Sequence, residues 1–286
     1  MQTVAKFQEQ IGAWERSTAK RDGLLQCETL LDDLVESSRL AELWLTLGWH
    51  DIRQRYRRSV IGPFWITIAT LIFVGIMTFL YSALFNESFI TFLPFAAVGL
   101  VIWGLISACM TEGARVFIEQ SAAIKQLPLP LPVHVLRLMW QQFVIALHNA
   151  AVIPLILILI GQPINFNTIL VVPAAMLLLC NLCWISMLLG IVGARYRDVP
   201  IIVCSMMPIV FLATPVFWKP GMLPANRAWV IDLNPVANFI EVVRAPILGS
   251  APATAAWLSC IIIAIGGWAM TIVVYGRCRN RVALWV

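Results

Sequence analysis

Of the chain's 286 residues, 60% are hydrophobic and only 12% are charged, with a mean hydropathy of +0.84. Such proportions exclude an ordinary soluble domain, where about 25% of residues are charged, and an outer-membrane barrel is excluded because no alternating strand pattern is sustained. The net charge of +5 calls for no nucleic acid, since the basic residues sit beside apolar stretches, where anionic headgroups attract Lys and Arg by about 1 kcal/mol each.

The first 37 residues form a polar N-terminal segment with one short helix expected around Leu24 to Val35. No apolar stretch occurs there, so no cleavable signal peptide is expected and the first span directs insertion. From Ser38, read as an N-cap, Leu40, Leu43, Trp44 and Leu47 recur at helical spacing, predicting an amphipathic helix over 38–60 that lies in the membrane surface. It closes on DIRQRYRRS, with Arg53, Arg55, Arg57 and Arg58 around Tyr56, and Pro63 then resets the chain direction. This cluster has two readings. One is the positive anchor of the first span; the other is a phosphate site, because guanidinium forks pair bidentately with phosphate oxygens.

Six stretches follow without any Asp, Glu, Lys or Arg: 61–85, 88–111, 138–160, 164–194, 199–218 and 251–276. Each can cross a hydrocarbon core that takes about 20 apolar residues as helix. An even number of crossings returns both termini to one side, and placing them in the cytoplasm puts 17 of the 20 Lys and Arg inside. Between the second and third stretches, the loop over 112–137 combines a helical segment, ARVFIEQSAAIKQ, with Pro128, Pro130 and Pro132, predicted as a stiff extended connector. The turn at 195–198 reads RYRD. Pro200, Pro208, Pro215, Pro220 and Pro224 interrupt the fifth stretch and its exit, so its outer half must be buried in protein or line a cavity. Within the outer segment, 219–250, Asn234 caps a helix with Pro235 at its first position and Gly249 as its stop. That helix is too short to span and is expected to be interfacial or re-entrant.

No catalytic constellation is legible. The chain lacks a G-x-x-x-x-G-K-[ST] phosphate loop, and His50, His134 and His148 have no metal-like spacing. His148 and Asn149, polar at depth in the third span, are read as an interhelical hydrogen-bonding pair. Seven cysteines lie mostly in spans, and Cys180 with Cys183 reads as small residues at a helix contact. Trp65, Phe79, Phe211 and Trp218 suit either an interfacial belt or rings facing a sugar path.

RQRYRRSVIGPFW, KQLPLPLPV, ARYRDVP, TPVFW, LNPVANFIEVVRAPILG and the closing RVALWV, in this order relative to the spans, resemble the membrane subunits of bacterial ABC-2-type polysaccharide exporters, above all those for O-antigen and related lipopolysaccharides. The resemblance covers roughly residues 38–286. It implies an all-α fold of six transmembrane helices, an N-terminal amphipathic gate helix and re-entrant outer helices between the fifth and sixth spans. It further implies a homodimer in the bacterial inner membrane with two copies of a separate ATPase subunit, which binds ATP and Mg. This chain would then carry no cofactor and be no enzyme, and its cargo would be a lipid-linked polysaccharide moved outward. By the same resemblance, Arg53, Arg55, Tyr56, Arg57 and Arg58 meet the lipid phosphate, and Glu119, Gln120, Lys125, Arg195, Arg197 and Asp198 face the ATPase. Asn234, Pro235, Glu241 and Arg244 form the outer gate. Other readings are an ABC-2 exporter of capsule, teichoic acid, drug or lipid, and an integral-membrane transferase, for which the outer segment offers only Asp232 and Glu241 as acids.

Overall fold

The computed structural model describes residues 30–57, 64–127, 129–161, 165–222, 224, 231 and 234–286. Arg58, Pro63, Pro128 and Asp232 lie outside them. Every regular element among the described residues is helical. In chain order they are α1 (Leu30–Arg39), α2 (Ala41–Tyr56), α3 (Phe64–Phe85), α4 (Phe89–Gly113), α5 (Val116–Glu119) and α6 (Ser121–Gln126). Then follow α7 (Leu131–Ala150), α8 (Val152–Ile160), α9 (Val171–Arg195), α10 (Val199–Ala213), α11 (Pro235–Ile247) and α12 (Thr254–Trp285).

Among the described residues, five stretches are long and apolar enough to cross a membrane: α3, α4, α7 with α8, the turn Phe166–Leu170 with α9, and α12. The expected fifth crossing is the exception. Helix α10 has 15 residues, about 22 Å at 1.5 Å per residue, and falls short of a core about 30 Å thick. Pro215 explains the early stop, because it crowds the backbone of Thr214, which adopts an extended conformation (φ −99°, ψ 136°) and ends the helix. The chain then runs irregularly through Thr214, Val216 and Phe217, all buried, so the freed backbone lies inside protein rather than against lipid.

Helices α4 and α9 form the centre. Ser186 Oγ on α9 donates to the Cys109 carbonyl of α4 at 2.9 Å, and Asn181 Nδ2 donates to the Cys260 carbonyl of α12 at 3.2 Å. Close approach is possible because Gly113 faces Ser186, where an added Cβ would come within 2.8 Å of its hydroxyl; small residues at helix contacts are how membrane helices pack tightly. Helix α3, by contrast, buries only Val74, Thr78 and Ser82 and leaves a broad apolar face uncovered.

Other boundaries depart from expectation. Helix α7 begins at Leu131, so Pro132 occupies its first turn, where a missing N–H costs nothing; only the residues before it are left as connector. Ser38 is not an N-cap: it lies inside α1, its hydroxyl bonded to the Val35 carbonyl at 2.6 Å, while Leu40 precedes α2 without a side-chain cap. His148 and Asn149 do not pair across helices. The His148 ring meets Phe64 edge-on at 5.2 Å, and His148 Nε2 and Asn149 Oδ1 find no hydrogen-bond partner among the described residues.

Candidate functional site

One end of the bundle gathers α1, α2, the loop helices α5 and α6, the start of α7, the turn after α9 and the end of α12. Helix α2 lies on α7 with Leu43, Gly48 and Ile52 buried. Gly48 is required there, since a Cβ would stand 2.9 Å from Trp140 Cδ1 and 3.2 Å from the Arg137 carbonyl. The segment therefore buries Leu43 and Ile52 against protein, while Leu40, Trp44 and Leu47 are half-buried. Arg137 fastens it: Nε and Nη2 each donate to a carboxylate oxygen of Asp51 at 2.6 Å, and Nη1 donates to Gln120 Oε1 at 3.1 Å. Beside this fork, Arg55 lies 3.5 Å from Glu112, which also accepts from Gln142 Nε2 at 2.6 Å. Asp51, Arg55, Glu112, Gln120 and Arg137 border a polar cavity of about 150 Å³ that Glu119 and His134 also line.

The described residues assigned to the lipid phosphate stand together at the end of α2. Arg53 and Arg57 are exposed, Arg55 is paired with Glu112, and Tyr56 is half-buried, its hydroxyl pushed above the ordinary phenol range by burial and pulled back by Arg55. Among the coupling candidates, Glu119 and Lys125 are exposed on the loop helices, and Gln120 joins those helices as C-cap of α5 and N-cap of α6. Arg195 lies over the rings of Tyr196 and Trp285 at 5.3 and 5.1 Å, Arg197 donates to the Trp285 carbonyl at 3.2 Å, and Asp198 is exposed. The turn and the chain's last residues thus form one surface.

A second cluster at this end escaped the sequence. Asp33, 1% exposed, accepts from the Tyr275 hydroxyl and pairs with Arg279, whose Nε lies 2.7 Å from one oxygen and Nη2 2.8 Å from the other. Trp44 Nε1 adds a bond to the Ser37 carbonyl at 3.0 Å. Helix α1 is therefore bound both to α12 and to α2.

At the opposite end, Asn234 caps α11 as its sequence predicts, its oxygen accepting from Val236 and Ala237 N–H, while its amide donates to the Ala213 carbonyl and Thr214 Oγ1. Pro235 follows, exposed, at the first helical position, and Gly249, at φ +86°, ends the segment. Arg244 is 2% exposed: Nη1 donates to the Pro215 carbonyl at 2.7 Å, Nη2 to Glu241 at 3.0 Å, and the guanidinium sits 3.9 Å from the Phe95 ring centroid. Burial lowers its basicity and Glu241 opposes that shift. The irregular chain after α10 is thus held by α11 and passes under Gly99, where a Cβ would meet the Val216 carbonyl at 3.0 Å. Lys219 pairs with Glu87 at 2.8 Å nearby.

The four aromatic candidates do not form one cluster. Phe211 contacts Trp103 at 5.3 Å and Phe217 at 5.8 Å, and Phe217 in turn meets Tyr81 and Phe73. Trp218 stays near, donating to the Leu212 carbonyl at 3.3 Å, whereas Trp65 and Phe79 project from α3, 58% and 67% exposed. Cys180 accepts from Trp268 Nε1 at 3.2 Å, and among the described residues no His, Cys, Asp and Glu gather into a set able to hold a metal ion. What the arrangement offers is mechanical: a helix locked to a short loop at one end, and irregular buried chain at the other.

Comparison with known proteins accords with such a scaffold. The ABC-2 type transporter family model matches residues 42–248, from the start of α2 to the end of the α11 segment. Two O-antigen export system permease proteins of Klebsiella pneumoniae are 23% and 24% identical over 205 residues, covering 70% of this chain and 78% of each relative. One of Myxococcus xanthus with the same description is 23% identical over 211 residues, covering 71% of this chain and 79% of that protein. Taken with the five long apolar helices, the match over α2 to α11 establishes that this chain is a multi-pass membrane protein belonging to the ABC-2 type transporter family.

Proposed function

We propose that the chain is the transmembrane subunit of an ATP-driven exporter that carries a lipid-linked polysaccharide of O-antigen type outward across the bacterial inner membrane. The observation that carries this reading is the family match from α2 to α11, together with relatives described as O-antigen export permeases. The basic end faces the cytoplasm, as the distribution of Lys and Arg favours; both termini lie there. Helix α10 and the buried chain after it make the fifth of six crossings, and α11 re-enters from the outside to close the exit. Two copies of the chain enclose the path, with α3 and α10 lining it, and the uncovered apolar face of α3 supports that role. Two ATPase subunits bind ATP and Mg and press on α5, α6 and the turn at 195–198. Arg53, Arg55, Tyr56, Arg57 and Arg58 receive the lipid phosphate; Trp65, Phe79, Phe211 and Trp218 offer ring faces to the glycan; Asn234, Pro235, Glu241 and Arg244 hold the outer gate.

Removing the gene from its host tests this. The expected result is loss of surface polysaccharide with lipid-linked glycan retained inside the cell, reversed by the intact chain. Undiminished surface polysaccharide would remove the cargo assignment.

A further inference from the structure

Helix α6 buries none of its residues, and α2 buries three, all toward α7 and its neighbours. Apolar packing therefore does not join these two elements directly. What spans them is Arg137 of α7, which spends Nε and Nη2 on Asp51 of α2 and Nη1 on Gln120, the residue at the joint between α5 and α6. Both ends of its ion pair are largely shielded, at 17% and 23% exposure, whereas the parallel strut from Arg55 to Glu112 is longer, at 3.5 Å, and wetter, at 44% and 33%. A guanidinium serves three acceptor atoms in one plane; an ammonium at the same position cannot reproduce that fork.

We infer that Arg137 is a positioning residue that makes α2 and the loop helices one rigid lever, so that a displacement of α6 is passed to α2 and its Arg-rich end. Its purpose rests on the transporter reading above, but its test does not. Asp51 and Gln120 act through Arg137 as one unit. The cavity beside the fork leaves room for the side chains there to move once the fork is cut.

The experiment measures the distance between spin labels at Arg53 on α2 and Lys125 on α6, both exposed. Labels are introduced on a non-canonical amino acid so that the seven cysteines stay in place. The full chain is placed in lipid nanodiscs and diluted with unlabelled chain, so that only distances within one copy are read. A narrow distribution is expected for the unsubstituted protein, with Arg137→Lys and Gln120→Ala each broadening it at least twofold and the double variant no broader than the worse single one. Gln120→Ala, at a partly exposed joint, answers the question if Arg137→Lys fails to fold. A distribution as narrow as the unsubstituted one, in variant protein that still elutes as a single species, would overturn the inference. Failure of the transporter reading would appear elsewhere, as absence of export by the unsubstituted chain with its ATPase partner.

Discussion

Replacing Arg244 with Met keeps the length of the side chain and removes its charge and donors, which makes it the cleanest probe of the outer end. The Pro215 carbonyl loses a 2.7 Å donor in a buried setting, at a cost of about 1–3 kcal/mol. The contact with Phe95, at 3.9 Å and away from water, is worth about 2 kcal/mol. Glu241 is 41% exposed and returns to solvent, so that pair adds less than about 1 kcal/mol. A loss of about 3 kcal/mol or more is therefore expected, roughly a hundredfold in a local opening constant. Hydrogen exchange in lipid nanodiscs reads this directly: amides of Val216 to Trp218 and of α11 should exchange about a hundred times faster, while those of α9 stay unchanged. Exchange within threefold of the original protein would show that α11, not the guanidinium, holds the broken segment in place.

Asp33→Ala removes the buried acceptor shared by Tyr275 and Arg279 and takes the partner of the Tyr275 hydroxyl in a buried setting, at a cost of about 1–3 kcal/mol; limited proteolysis should then cut between α1 and α2 about tenfold faster. Gly193→Ala would drive a Cβ into the Ala114 carbonyl, backbone against backbone, and should lower the yield of folded protein severely, whereas Gly266→Ala, with open space around it, should be neutral by thermal denaturation in detergent. Glu119→Lys or Lys125→Glu, both exposed, should leave folding intact and weaken recovery of the ATPase subunit in pull-down at least tenfold; full recovery and transport in both variants would end the docking assignment.

The membrane class and most helices were legible because an uncharged run of about 20 residues has few alternatives. Their ends were not. Expectation began the third span after Arg137, yet that residue lies inside α7 because Asp51 and Gln120 neutralise and bind it; hydropathy measures solvation in isolation and cannot see a partner 86 residues away. The last helix likewise continues through Arg277, Arg279 and Arg281 to Trp285, since charge ends a membrane crossing but not a helix. Conversely, the fifth stretch is apolar to Trp218 but helical only to Ala213, where Pro215 dictates the backbone of its predecessor.

Local signals at the site held where the chemistry is local. Asn234, Pro235 and Gly249 act within one helix, and their spacing is written in consecutive residues. Asp33 with Tyr275 and Arg279 has no such signature, its partners standing 242 and 246 residues away, and the same is true of Glu112 with Gln142, 30 apart on neighbouring helices.

The central claim is that this chain is a conduit moved by another molecule's ATP. Reconstituted in proteoliposomes, it should hydrolyse no ATP and translocate no lipid-linked glycan alone, and should translocate it on ATP addition only when its ATPase partner is present. Hydrolysis, or uphill glycan movement, by the chain alone would contradict the account.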